Sequence, residues 1–561
     1  MAITPTYPGV YITETASVPH VVTAATTNLT AFIGEFPKGP TSEAVLVTSW
    51  SEFQMEFGPL TVDSSLAAYA VSQFFLNGGI GAWIVRMSPT ADPALTNLVS
   101  QPAAAASAVV AIPLAGAPAM EISANSPGIW GNDLAVEFRA SGPAARPDPS
   151  HVDLLVYQVP AGTTFAPSPA PSYQPVETIT NLRILATATQ PAPTPDQIAK
   201  VIASSSNYVT ATVSAASSPA SPPGASWAQL GPNGSDGTWS APGLWDAIVE
   251  VELDDGGRLT HIAPAVFNIM CIPDLALAPT AEQIYVVAAA HRFCADRQAF
   301  LIVDPPPPAS AAGPATGTTV DNIGIGSAGL ENLVKWADPL LSPDNVAAAT
   351  YYPWVEIADP VTGLTRSVPP SGTVAGVYAA TDTTRGVWKA PAGVEAQLAG
   401  VIALADTSIT DTVNGDLNVM GVNCLRTFPL YQSIVWGSRT LAGSDIAGSP
   451  FKYVPVRRLA DFIEQSLQQS LRWAVFEPNA PALWGAITLE VTAFMAGLFA
   501  AGAFAGPSAA QAYTVACDAT TTSPIDMLSG IVNINVGFAP VDPAEFVMLN
   551  IQINAAAGAA S

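Results

Sequence analysis

One stretch in the middle of the chain constrains the fold more than any other. FNIMCI (267–272) is an apolar run, a helical pattern extends from about Ala281 to Arg297, and AFLIVD (299–304) is a second apolar run. Two short apolar segments joined by one helix have the length of a parallel crossover, in which the chain passes over the sheet face and returns beside the strand it left. A parallel pair of strands is therefore expected here, in a multidomain chain of α/β and α+β class. Upstream, LTAFIG (29–34) and AVLV (44–47) read as strands, SLAAYAVSQFFLNGG (65–79) as a helix stopped at Asn77 and Gly78, and GAWIVRM (81–87) as the next strand. YYPWVEI (351–357) adds a strand, and GVNCLRTF with YQSIVWGSRTL, past Leu417, a neighbouring pair.

At 561 residues the chain is too long for one core, and about 150 residues per domain implies roughly three to four. Residues 1–24, rich in Thr, Val and Pro, read as an extended arm, and 25–92 as the first part of the core. At 93–241 the composition shifts to Ala, Pro, Ser and Thr, punctuated by strands such as VDLLVYQV, which predicts an inserted, loop-rich, mostly β domain. A middle α/β domain is expected at 242–416 and a C-terminal domain at 417–545. In the latter, Leu459, Phe462, Ile463, Ser466, Leu467 and Leu471 recur at helical spacing. Residues 546–561 form a closing arm. There Val547, Leu549, Ile551 and Ile553 alternate with Met548, Asn550, Gln552 and Asn554, the signature of a strand with one buried face.

Charge narrows the partners. Lys and Arg number 19 and Asp and Glu 44, a formal net charge of −25 on a chain only 11% charged. Nucleic acid is excluded as a natural partner, because phosphate binding depends on bases displacing counterions. With 49% hydrophobic residues the chain is not disordered, and so few charges hint at a subunit that buries area against copies of itself. The start, MAITPTYPGVYITE, has neither the basic nor the apolar region of a secretory signal, so synthesis in the cytoplasm is expected. Trp484 to Gly506 is strongly apolar, yet it carries Glu490 and four glycines and reads as a buried helix rather than a membrane span.

No chemistry stands out. There are four histidines, His20, His151, His261 and His291, and no GxSxG motif around any serine. GIGSAG (324–329) matches the dinucleotide-binding pattern, but ASAAGPATGTTVDN precedes it instead of a buried strand, so it reads as a loop. DDGG (254–257) reads as a turn. His291 and Cys294, three apart on one helix, could hold a metal with Cys271, although buried unliganded side chains explain them as well. Cys424 and Cys517 complete a set without a CxxC pair, expected as reduced thiols. No Walker A lysine occurs. No catalytic residue, cofactor or metal is predicted. One charge feature does stand out: from Arg426 to Arg472 six bases (Arg426, Arg439, Lys452, Arg457, Arg458, Arg472) face three acids (Asp445, Asp461, Glu464), and the following 89 residues hold no Lys or Arg. Those bases either pair with acids of their own domain or form a face towards an acidic partner.

A set of motifs goes further: TYPGVYITE (6–14), TAFIGEFPKGP (30–40), QFFLNGG (73–79), FLIVDPP (300–306), YYPW (351–354), VPPSGTVAGVYAATDTTRGVWKAPAG (368–393), VWGSRTL (435–441), VRRL (456–459), FEPN (476–479) and APVDPAEF (539–546). In this order they resemble the contractile tail sheath family, over about residues 1–90 and 245–554. The resemblance implies a non-catalytic subunit that polymerises with itself as stacked six-membered rings around an inner tube protein, with a baseplate at one end and a terminator or cap at the other. It implies an inner α/β domain built from both chain ends, a subtilisin-like middle domain and an outward-facing insertion. It also implies strand exchange between subunits, for which Tyr7, Pro8, Gly9, Val10, Tyr11 and Ile12 at one end and Phe546, Val547, Leu549, Ile551 and Ile553 at the other have the form, unless both strands stay in their own subunit. Relatives carry a basic residue near YTVACD (513–518) that this chain lacks, so Lys452, Arg457 and Arg458 become the expected tube-facing bases. An injection-system sheath is the expected machine, with a phage tail or tailocin sheath as the alternative and an α/β hydrolase as a remote one.

Overall fold

The computed structural model describes residues 21–89, 107–112, 120–142, 148–159, 173–183, 193–213, 226–230, 233–238, 243–253, 257–260, 267–308, 322–446 and 448–545. The chain divides into two compact units, one of residues 26–458 and one of residues 1–25 with 459–561.

The larger unit is organised by an eight-stranded sheet. Its strands are β1 (Leu29–Glu35), β2 (Val45–Val47), β3 (Gly81–Met87), β4 (Ile269–Cys271), β5 (Phe300–Val303), β6 (Ala348–Tyr352), β7 (Asn423–Phe428) and β8 (Gln432–Val435), in the spatial order β8-β7-β6-β5-β4-β1-β3-β2. Strands β7, β6, β5, β4, β1 and β3 run parallel, with Ile269 opposite Phe300 and Thr30 opposite Ile269. The expected crossover is thus present, carried by helix α2 (Thr280–Asp296), while α1 (Leu66–Leu76) links β2 to β3. Burial follows the strand period: Phe300 and Ile302 join one core with α1, and Leu301 and Val303 join another with α2. Helix α3 (Gly326–Ala337) packs with α2, and α4 (Ser371–Arg385) with α1. Gly372 and Gly376 let α4 close on α1, since a Cβ at Gly372 would stand 2.2 Å from the Ala70 carbonyl oxygen.

Three expectations are corrected. The sheet continues past residue 417, Tyr351 pairing with Asn423, so the division falls at Leu459 rather than at 417. Residues 29–87, expected as the first part of the core, lie in the same sheet as the strands of the expected middle domain at 242–416, so no boundary separates the two. YYPWVEI is two strands in different sheets, β6 and Val355–Ala358, because Pro353 offers no N–H to continue a ladder.

The described residues of the 93–241 segment are built mainly of β-strands. A four-stranded antiparallel sheet (Ser226–Gln229, Leu134–Ser141, Asp148–Gln158, Glu177–Arg183) and a three-stranded one (Val109–Ile112, Met120–Ala124, Val209–Val213) share a core with the helix Pro195–Ser205, from Ile122, Phe138 and Leu154 to Ile198. It is fastened to the sheet by Arg86, which donates to the carbonyls of Phe36, Pro37, Gly39 and, from the insertion, Pro127. Beside it Lys38 lies over the rings of Trp130 and Tyr208, at 5.5 and 4.7 Å.

The smaller unit holds the C-terminal part of α5 (Val454–Ser470), then α6 (Pro481–Ala500) and α7 (Pro524–Leu528), and a two-stranded antiparallel sheet of β9 (Tyr513–Ala516) and β10 (Asn535–Phe538). Helix α6 is long and apolar enough to cross a membrane, but it buries only one stripe: Leu483, Trp484, Ile487, Glu490, Val491, Met495 and Leu498. The expected buried helix is therefore buried on one side, and its open side carries Gly485, Leu489, Ala493 and Gly497.

Candidate assembly surfaces

Residues 21–25 are held in the smaller unit by α5. Helix α5 supplies two hydroxyls to the incoming chain: Thr23 N–H donates to Ser470 Oγ at 2.9 Å and Ala25 N–H to Ser466 Oγ at 3.0 Å. Val22 is buried beside them. An extended strand-like segment has unpaired backbone groups, and here serine side chains rather than a sheet take them up. Further on, β9 and β10 pair through Tyr513 opposite Phe538 and Ala516 opposite Asn535. They are tied to the end of α6 by Phe504, whose ring lies 6.0 Å from Tyr513 and 5.6 Å from Phe538. A sheet of two strands leaves an outer backbone edge on each, the kind of edge an added strand completes. The predicted arm residues Tyr7 to Ile12 and Phe546 to Ile553 lie outside the described residues. The described chain reaches Glu545, seven residues past Phe538.

The predicted basic face is not brought together as one surface. Arg458 is corrected outright: it is buried, donates to both oxygens of buried Asp382 at 2.6 and 3.0 Å and to the Thr27 carbonyl, and lies 4.8 Å over Tyr378. Burial pushes the Asp382 carboxyl up while Arg458 pulls it down. Lys452 shares one carboxylate oxygen of Asp445 with Arg439, at 2.6 and 3.0 Å, and Arg457 lies 4.5 Å over the Phe451 ring. Spacing could not reveal Asp382, which sits 76 residues away on α4.

The positions where an α/β sheet of this kind takes a phosphate are filled from within. Such folds bind ligands at the carboxyl ends of the strands where the chain turns off in opposite directions, against helix N-termini. Here that point lies between β1 and β4. Asp274, just past β4, accepts there from Glu35 N–H and from Ala67 N–H in the first turn of α1, each at 3.2 Å. Asp304, just past β5, accepts from Ser371 N–H at the start of α4, at 2.8 Å. Asp406 accepts from Gly326 N–H at the start of α3, at 3.0 Å, and from the Tyr352 hydroxyl at 2.6 Å. GIGSAG is therefore not a loop but the opening of α3, and the dipole that would attract an anion already faces a carboxylate. Burial raises Asp274 to about 6 and Asp304 to about 7. Asp406 is held below the usual range by its hydrogen-bond donors, although burial pushes the other way. None of these three was singled out by the sequence, where an isolated Asp after a strand carries no signal.

Of the other chemical candidates, His20, His261 and most of DDGG lie outside the described residues, and the cysteines and His291 are held in the fold. Cys271, Cys294, Cys424 and Cys517 are free buried thiols, and His291 accepts from Ala347 N–H at 3.2 Å. Among the described residues no group of His, Cys, Asp and Glu could hold a metal.

Against known proteins, residues 447–554 match the phage tail sheath C-terminal domain family. The tail sheath protein of Vibrio phage KVP40 is 24% identical over 283 residues, 48% of this chain and 40% of that protein. The chain spans less than half the length of the curated relatives it matches. Among solved structures, the sheath complex of an extracellular contractile injection system, PVC, in its contracted state superposes with a TM-score of 0.53 at 19% identity, covering 99% of both chains. A sheath tail protein from Listeria innocua superposes with a TM-score of 0.56 at 13% identity, covering 92% of this chain and 96% of that one. The residues that continue from α5 through β10 thus resemble the phage tail sheath C-terminal domain, and the chain as a whole has the fold of the solved sheath proteins.

Proposed function

We propose that the chain is the structural subunit of a contractile sheath. Copies polymerise as stacked six-membered rings around an inner tube, are held extended by tube and baseplate, and contract to drive the tube through a target envelope. The observation that carries this reading is the smaller unit: residues 21–25 are held there by α5, and within the region that matches the sheath domain its two-stranded sheet pairs with no third strand among the described residues. Tyr7 to Ile12 and Phe546 to Ile553 are the segments offered to the outer edges of that sheet by neighbouring copies. Such a link survives contraction because a paired ladder stays intact while the residues beside it reorient, whereas a broad packed interface breaks when sheared. On this reading the eight-stranded sheet is the family's subtilisin-like middle fold, without a protease's residues, and the insertion faces outward.

An injection-system particle, assembled in the bacterial cytoplasm and capped by a terminator, is favoured over a phage tail. Its support is the likeness of fold, over 99% of both chains, to an injection-system sheath. The test is expression of the chain alone, followed by negative-stain microscopy. Hollow cylinders, in the contracted form because no tube opposes relaxation, are the expected result. A well-folded monomer at high concentration would sink the proposal.

A further inference from the structure

One carboxylate interrupts the buried stripe of α6. Glu490 is 6% exposed and stands among Leu483, Ile487, Val491 and Met495, where helical spacing otherwise places apolar side chains. Its Oε2 accepts from the indole N–H of Trp473 at 2.9 Å, while its Oε1 is buried and has no hydrogen-bond donor among the described residues. A buried carboxylate oxygen without a donor bears its full desolvation cost. Cationic donors are scarce in this unit. In residues 1–25 and 459–561 the side chains that can carry a positive charge are His20 and Arg472. Arg472 is exposed, whereas the open oxygen is not, which leaves His20.

The incoming chain runs towards this carboxylate. Ala25 N–H is held by Ser466 and Thr23 N–H by Ser470, so two residues back along the chain correspond to four residues forward along α5. An extended segment of about 3.3 Å per residue keeps that ratio with a helix of about 1.5 Å per residue. The next turn past Ser470 is Leu471–Ala474, which carries Trp473 and, through its indole, meets Glu490. Val21 is 72% exposed and Val22 only 7%, the alternation of an extended chain with one covered side. In such a chain the position two before Val22 shares its covered side, and that position is His20.

We infer that His20, which immediately precedes the first described residue, donates an imidazole N–H to Glu490 Oε1 and so clamps the N-terminal arm against the turn that follows α5. The clamp belongs to a single subunit and stands whether or not the chain polymerises. In a polymer it sets where the exchangeable arm begins: residues before His20 reach a neighbouring copy, and those from His20 onward stay with their own.

Amide hydrogen exchange, read by mass spectrometry on the full-length chain below any concentration at which it assembles, tests the clamp at residues 21–25. His20→Ala should speed exchange there by about tenfold or more, the factor that a hydrogen bond to a charged group contributes to a local opening equilibrium. His20→Arg restores a cationic donor and should keep the wild-type protection. Glu490→Leu places an apolar side chain in an apolar stripe and should speed exchange like His20→Ala, and the two combined should be no faster than either alone. Circular dichroism of each variant should match the wild type, and if Glu490→Leu does not fold, the contrast between His20→Ala and His20→Arg decides. Unchanged protection in His20→Ala, equal loss in His20→Arg, or a further gain in rate when His20→Ala is added to Glu490→Leu would overturn the clamp. Failure of the wild type to form cylinders would sink the sheath reading and leave this result untouched.

Discussion

Arg458 and Asp382 show how much a single residue's meaning depends on what the fold puts beside it. As a base in a locally basic segment, Arg458 was legible; its partner was not, because hydrogen-bonded pairing across the fold leaves no trace in spacing. Arg458→Met should destabilise the subunit by about 3 to 5 kcal/mol in chemical denaturation, since it strands a buried carboxylate. Adding Asp382→Asn should recover much of that loss. The buried acids give a second prediction. Asp304 is raised in the folded state to about 7 from an ordinary 3.8, so the folded chain binds the extra proton. Its contribution to stability is complete below pH 3.8 and is lost as pH rises towards 7. Asp304→Asn should therefore gain stability relative to the wild type as pH rises from about 4 to 7, read as a difference between denaturation midpoints. A constant difference would show that Ser371 N–H holds the carboxylate ionised throughout.

Among elements, those with a clean period were readable, and the crossover from β4 through α2 to β5 follows the expected boundaries within two residues. Failures came where one residue overrode the pattern. Pro353 divides an apolar run into two strands, and Asp406, far along the chain, supplies the cap that turns GIGSAG into a helix start. Helix α6 was misjudged because a uniformly apolar composition hides which face is covered. The proposed mechanical links also belong to this scale. Deleting residues 1–20, or truncating after Glu545, should abolish cylinders while leaving a soluble subunit with near-native circular dichroism. Cysteine pairs placed in the two arms should crosslink between copies. Cylinders assembled without either arm would end the strand-sharing reading.

At the scale of the whole molecule the charge of −25 opposes every association of like copies. Raising ionic strength from about 0.02 to 0.3 M shortens the screening length and should lower the critical concentration for assembly, measured by sedimentation. A rise instead would mean that attractive ion pairs dominate the lattice. Division into domains was the least legible feature, because composition marks the insertion but cannot tell that β7 joins the sheet begun at β1. The carboxylates of Asp274, Asp304 and Asp406 have a last consequence. They occupy three helix starts at which a sheet of this type would admit a phosphate, so a subunit working as proposed draws its work not from a nucleotide held at those starts but from energy stored while the lattice is being laid down.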